Sequence, residues 1–303
     1  MKFNINLPID TIDPPGEFQT PEAVHEIVQA LDRSRASACA LTEHPAPPVD
    51  WLRNDPAGHN TLDPFAALGF VAAATKRIKI LTEVIVLPYR SPFLSAKAAT
   101  TLQILSGGRF IFGVGIGYVR GEFEAIGVDP RQRGAMTDEA LETIRAIWAG
   151  GSVVKKGMNF NATGNEQRPV PSPPPPIWVG GGSAQAAERA ARWGDGWIPF
   201  FAPPTNSADL KAGDVGSIKD LADKIAYAKK LRAGLGKTGI FDVCITSPIE
   251  PTPNTSSQAR LYRDSLKELA DAGVTWVTVI LHHPTRAAFY ENLRWFDEEV
   301  MWH

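Results

Sequence analysis

The chain reads as an α/β protein built from repeated strand–helix units, and three observations carry that expectation. Residues 77–117, RIKILTEVIVLPYRSPFLSAKAATTLQILSGGRFIFGVGIG, run from a buried strand through a helix to a second buried strand closing on Gly113-Val114-Gly115-Ile116-Gly117. Strands joined in this way lie parallel, with their C-terminal ends on one side of the sheet, the side where parallel α/β folds bind ligands. Short apolar runs also alternate with helical patterns along the whole length, eight of each. Finally, 303 residues suits one large α/β barrel with an insertion, since such barrels take about 250 residues. Eight repeats is the count of a TIM (β/α)8 barrel, although an open doubly wound sheet shows the same alternation.

The strand-like runs are 3–7, 38–42, 78–86, 110–114, 177–179, 196–199, 241–246 and 274–281. Between and after them the helical patterns fall at 21–35, 64–75, 92–105, 133–148, 184–193, 218–235, 257–272 and 285–300. Thr20-Pro21 and Asp63-Pro64 each place a capping residue before a proline at the first helical position. Ser106-Gly107-Gly108 and Ala149-Gly150-Gly151 are stop signals. Residues 152–176 break the rhythm: polar at first, they end in Pro171-Ser172-Pro173-Pro174-Pro175-Pro176, which suits neither helix nor strand interior. Because Ile177 resumes the alternation at once, this stretch is expected to be a surface insertion before the fifth strand, within a single domain spanning 1–303. Residues 203–216 form a second long loop, after the sixth strand, and long loops at strand C-terminal ends cover active sites.

Composition narrows the function class. Hydrophobic content of 44%, charged content of 21% and a net charge of −2 describe an ordinary globular protein, with no basic face for nucleic acid. The N-terminus lacks a signal-peptide core, and no run of 18 apolar residues occurs, so a cytoplasmic protein with no membrane role is expected. Cys39 and Cys244 sit in apolar runs and read as reduced core thiols.

Several residues could carry chemistry at the barrel mouth. The glycines at 113, 115 and 117 lack the third glycine of a dinucleotide fingerprint, since position 118 is Tyr; they read instead as a strand end that a flat ligand or a neighbouring backbone approaches closely. In Ile177-Trp178-Val179-Gly180-Gly181-Gly182-Ser183 a buried strand runs into glycines and a helix start, where backbone N–H groups converge as an anion cradle. His44, just after the second strand, suits proton donation or hydrogen bonding to an oxyanion. Glu83 lies in an otherwise apolar run, so it is either a cofactor ligand or half of an ion pair such as one with Arg90. His282 and His283 end the eighth strand facing the mouth, with a loop role for at least one of them. Neither a metal-ligand spacing nor a GxSxG elbow is present.

These motifs, in this order, resemble the bacterial-luciferase-like superfamily of flavin and deazaflavin oxidoreductases, most strongly over 81–127, 138–148 and 176–197. The resemblance implies a TIM barrel with a ring cofactor across its mouth and settles the choice between barrel and open sheet. It implies that Glu83-Val84 is a cis peptide bulging against the ring, and that Gly115 and Gly117 line the cofactor side of the fourth strand. It also implies that Gly180, Gly181, Gly182 and Ser183 hold the cofactor phosphate, and that His44 is the catalytic histidine. TEHPAPP and LPYRSPF are most similar to a branch assigned to coenzyme F420. The resemblance thus implies F420-dependent hydride transfer with a small organic substrate, in a homodimer. An FMN-dependent monooxygenase using oxygen is the alternative, and a non-catalytic flavin-binding homologue the second. Two departures stand against a sugar-phosphate substrate: Tyr118 replaces an acidic residue after the fourth strand, and no tryptophan closely follows His44, Trp51 lying further on.

Overall fold

In the computed structural model, residues 1–10, 16–53, 59–201, 215–251, 256–281 and 283–301 are described. Nine strands form one sheet: β1 (Lys2–Asn6), β2 (Ala38–Leu41), β3 (Lys79–Thr82), β4 (Ile85–Val86), β5 (Phe110–Gly115), β8 (Ile177–Gly180), β9 (Gly196–Ile198), β10 (Asp242–Thr246) and β11 (Trp276–Val279). Every pairing in it is parallel, and β3 pairs with β5 to close the circle. The result is a TIM barrel whose third stave is the pair β3 and β4. The expected continuous third strand is therefore broken in two, at Glu83-Val84, where the peptide bond is cis.

The main helices are α1 (Pro21–Arg33), α3 (Pro64–Ala74), α4 (Pro92–Leu105), α6 (Arg133–Trp148), α7 (Ala184–Trp193), α8 (Ile218–Gly234), α9 (Ser256–Asp271) and α10 (Arg286–Phe296). Their starts follow from side-chain caps: Thr20 Oγ1 accepts from Ala23 N and Asp63 Oδ1 from Ala66 N, each with proline at the first helical position. In α1, Val24, Ile27, Val28 and Leu31 recur at helical spacing and are the face buried on the barrel. The stops at Gly107-Gly108 and Gly150-Gly151 have φ of 65°, 84°, 83° and 88°, a backbone region that glycine enters without a Cβ penalty.

Two short helices escaped the sequence reading: α2 (Val49–Arg53) and α5 (Arg120–Ile126). The insertion also differs in part from expectation. Its first half forms an antiparallel hairpin of β6 (Val153–Lys156) and β7 (Asn161–Asn165), and only the proline-rich remainder is irregular.

Inside the barrel, Leu81, Ile111, Trp178, Ile198 and Trp276 pack with Ala38 and Ala40, the two indoles edge-to-face at 5.1 Å. Toward the mouth this apolar plug gives way to Asn4 and Thr278, both buried. Among the described residues no helix is long and apolar enough to cross a membrane.

Candidate active site

A cavity of about 350 Å³ opens at the C-terminal ends of the strands. Its walls bring together His44, Glu83, Val84, Gly115, Gly117, Gly180 and Gly181, whereas Gly182 and Ser183 lie beyond its lining. Asp10, Glu43, Tyr118 and Glu122 also line it.

His44 leaves the end of β2 and is held from three directions. Its Nδ1 lies 3.4 Å from Glu122 Oε1, both side chains being nearly fully buried. That distance makes an ion pair when the imidazole is protonated rather than a well-formed hydrogen bond, and Nδ1 has no hydrogen-bond partner. Trp51 stacks on the imidazole at 5.3 Å and Tyr118 meets it edge-on at 5.9 Å. The two departures noted in the sequence are thus filled from elsewhere, since α2 carries Trp51 back onto His44 and α5 supplies Glu122. Gly121 permits the second of these: a Cβ there would stand 2.2 Å from Pro48 Cγ, so only glycine lets α5 close onto the loop after His44. Glu122 is the buried cavity residue behind His44 that the sequence reading missed, and α5, which carries it, has only 7 residues.

Glu122 also accepts from Tyr89 Oη at 3.1 Å and from Ala46 N at 3.4 Å. Burial, and then the neighbouring Glu122 carboxylate, push the Tyr89 phenol up from its ordinary range. Glu43 is tied to the same wall. It accepts from Val86 N at 2.6 Å and pairs with the Arg90 guanidinium. Burial raises the Glu43 pKa, and Arg90 works against that rise. Arg90 is therefore the partner of Glu43, which corrects the suggested pair between Arg90 and Glu83.

Glu83 turns to the barrel axis instead. Its Oε2 accepts from Asn4 Nδ2 at 2.7 Å and its Oε1 from Thr278 Oγ1 at 2.8 Å. Burial pushes its pKa up to about 7 against those two hydrogen bonds, and the charge of Asp10 adds to the rise.

Gly115 at the end of β5 and Gly180 at the end of β8 serve the bulge directly. A Cβ on Gly115 would come within 2.6 Å of Val84 Cγ2, and one on Gly180 within 3.1 Å of Val84 Cγ1. A Cβ on Gly117 would meet Val86 Cγ1 at 2.6 Å. They let Val84 rise between β5 and β8. In the cradle, the Gly181 amide already donates to Ile198 O, and Ser183 Oγ caps α7 through Ala186 N. The remaining amides at this helix start are those of Gly182, Ser183, Ala184 and Gln185.

His283 does not face the cavity. Its ring packs edge-on against Phe18 at 5.4 Å and Phe289 at 6.5 Å, and its Nδ1 contacts Leu281 O. His282 lies outside the described residues, as do 54–58 and, of the second long loop, 203–214. Cys39 and Cys244 are buried free thiols. Among the described residues no group of three or more His, Cys, Asp or Glu could hold a metal ion.

Comparison with known proteins identifies a family for the chain. The profile of the luciferase-like monooxygenase family matches residues 1–212. An uncharacterized protein of Mycobacterium tuberculosis is 32% identical over 222 residues, 73% of this chain and 68% of that one. The F420-dependent glucose-6-phosphate dehydrogenase of Gordonia bronchialis is 31% identical over 183 residues, 59% of this chain and 52% of that one. A monooxygenase from Streptomyces bottropensis superposes with a TM-score of 0.80 at 18% identity, covering 100% of this chain and 99% of that one, a likeness of fold.

Proposed function

Because the chain belongs to the luciferase-like monooxygenase family, and so is an oxidoreductase, we propose that it carries out coenzyme F420-dependent hydride transfer to or from a small organic substrate. The observation that carries this reading is the placing of His44, backed by buried Glu122, in one cavity with the Val84 bulge and the Gly180-Gly181 end of β8. The residues fit a planar cofactor with a phosphate. Val84, seated over Gly115 and Gly180, is an apolar rest for a ring, and the amides of Gly182, Ser183, Ala184 and Gln185 are donors at a positive helix end. When bound, the deazaflavin supplies a ring carbon that gives or accepts hydride. His44 holds or moves the proton at the substrate oxygen through Nε2, the ring nitrogen opposite Glu122. Glu122 orients the imidazole from its Nδ1 side.

The F420-dependent relative in Gordonia bronchialis and the TEHPAPP and LPYRSPF stretches favour the deazaflavin. The family's description as monooxygenases favours a second reading, FMN with oxygen. Titrating the protein with F420 and, separately, with FMN, followed by the absorbance and fluorescence of each, tests the choice. Saturable F420 binding tighter than FMN binding is expected. The reverse order supports the monooxygenase, and failure to bind either removes both readings.

Buried free thiols suit a reducing compartment and support a cytoplasmic location. A homodimer is the proposed assembly, supported by Phe70, Leu94 and Leu105, exposed by 45%, 66% and 69% on the adjacent helices α3 and α4. Sedimentation of a monomer would contradict it.

A further inference from the structure

The floor of the cavity is chemically unlike its wall. Among the described residues Glu83 receives only neutral donors, Asn4 Nδ2 from β1 and Thr278 Oγ1 from β11. Those two donors are buried and bonded to each other at 3.1 Å, and Cys244 Sγ of β10 lies 3.4 Å from Thr278 Oγ1. After β1 comes Asp10, whose two oxygens both accept from Thr42 Oγ1 at 2.8 Å, with Asn6 Nδ2 at 3.4 Å. On the β2 side, Glu43 is committed to Arg90 and Val86 N, and His44 to Glu122. Among the described residues no lysine or arginine forms an ion pair with Glu83 or Asp10.

We propose that Glu83 is the specificity-determining residue of the pocket: its carboxyl group offers its own proton to the oxygen of an uncharged ketone or alcohol, and substrates bearing a carboxylate or phosphate at that end are turned away. The proposal deepens the reading of this cavity as the site of reaction and rests on it.

Each Glu83 oxygen already holds one donor from the barrel interior, so the remaining positions of the carboxyl open on the cavity that Glu83 lines. A buried carboxyl with no cation to compensate it keeps its proton. Burial and the charge of Asp10 move Glu83 in that direction, to about 7. A protonated carboxyl donates to a carbonyl or hydroxyl oxygen. A second anion brought to this floor meets the Asp10 carboxylate, and among the described residues no lysine or arginine pairs with Asp10 or Glu83 to offset it, which disfavours the anion by repulsion and by lost solvation.

The test reads the proton and the selectivity separately. In protein labelled with ¹³C at the glutamate carboxyls, one resonance should titrate near pH 7 and be absent from Glu83→Gln. Asp10→Asn should move its midpoint to lower pH, because a negative neighbour has been removed. Ligand-observed NMR with cyclohexanone and cyclohexanecarboxylate then compares two rings of similar shape. Cyclohexanone should bind at least about tenfold more tightly than the carboxylate at pH 6. Its affinity should fall at least about fivefold by pH 8.5 in the wild type and stay flat in Glu83→Gln, whose amide N–H still donates. The proposal is overturned if no Glu83-dependent resonance titrates above pH 6, if the carboxylate binds as well as the ketone, or if the ketone shows no binding that depends on Glu83. Neither readout uses a flavin, so its outcome is separate from that of the cofactor titration.

Discussion

On the wall of the pocket Glu43 faces Arg90 and Glu122 faces His44, whereas on the floor Glu83 and Asp10 meet, among the described residues, amide and hydroxyl donors. Burial raises both Glu43 and Glu83, but only Glu43 has a guanidinium to draw it back. The contrast separates two uses of a buried acid. A carboxylate opposite a cation stays charged and fixes its neighbour in place. One surrounded by neutral donors holds a proton and can offer it to a ligand.

The largest effect should come from stripping the wall of its cation. Arg90→Ala leaves Glu43, only 2% exposed in its side chain, without a counter-charge, and should cost about 3 kcal/mol in urea unfolding at pH 7.5. The loss should shrink at pH 5, where Glu43 can take up a proton. An equal loss at both values would break the contrast between wall and floor. Next, His44→Ala should leave cofactor affinity within about threefold of normal while lowering turnover by about 100-fold or more; unchanged turnover removes its assigned role. Glu122→Gln keeps the shape but removes the charge behind the imidazole, and should lower kcat on the order of tenfold with KM little changed.

The smallest effect sharpens the floor. Glu83 rises from 4.5 to about 7 on folding, so between those values the folded chain binds more protons than the unfolded one. The contribution is full at pH below 4.5, declines as pH rises, and is gone above about 7. Glu83→Gln should therefore flatten the fall in Tm between pH 5 and pH 7.5, as followed by circular dichroism. An unaltered slope would place the titrating group elsewhere.

The barrel was legible because its signals are local. Thr20-Pro21, Asp63-Pro64 and the glycine pairs mark helix ends by side-chain and backbone geometry that neighbouring residues determine. His44, Glu83 and the Gly180–Gly181 pair were legible because strand ends fix which residues reach the mouth. What escaped was short or long-range. Helices α2 and α5 have 5 and 7 residues, too few to show a helical period, and Val119, the N-cap of α5, makes no side-chain capping bond. They carry Trp51 and Glu122, so missing the helices meant missing the group behind His44. The partner of Arg90 depended on which of two acids turned toward the barrel axis. That choice is made by Asn4 and Thr278, 79 and 195 residues from Glu83 in sequence.

The most direct measurement is the oxidation of reduced F420 by a panel of uncharged ketones, followed by the return of the cofactor's fluorescence under anaerobic conditions, in wild type and His44→Ala. The wild type should turn over at least one ketone, and His44→Ala should do so about 100-fold more slowly or less. No oxidation of F420 by wild type, with turnover of the same ketones by reduced FMN and oxygen, would contradict hydride transfer and establish the monooxygenase in its place.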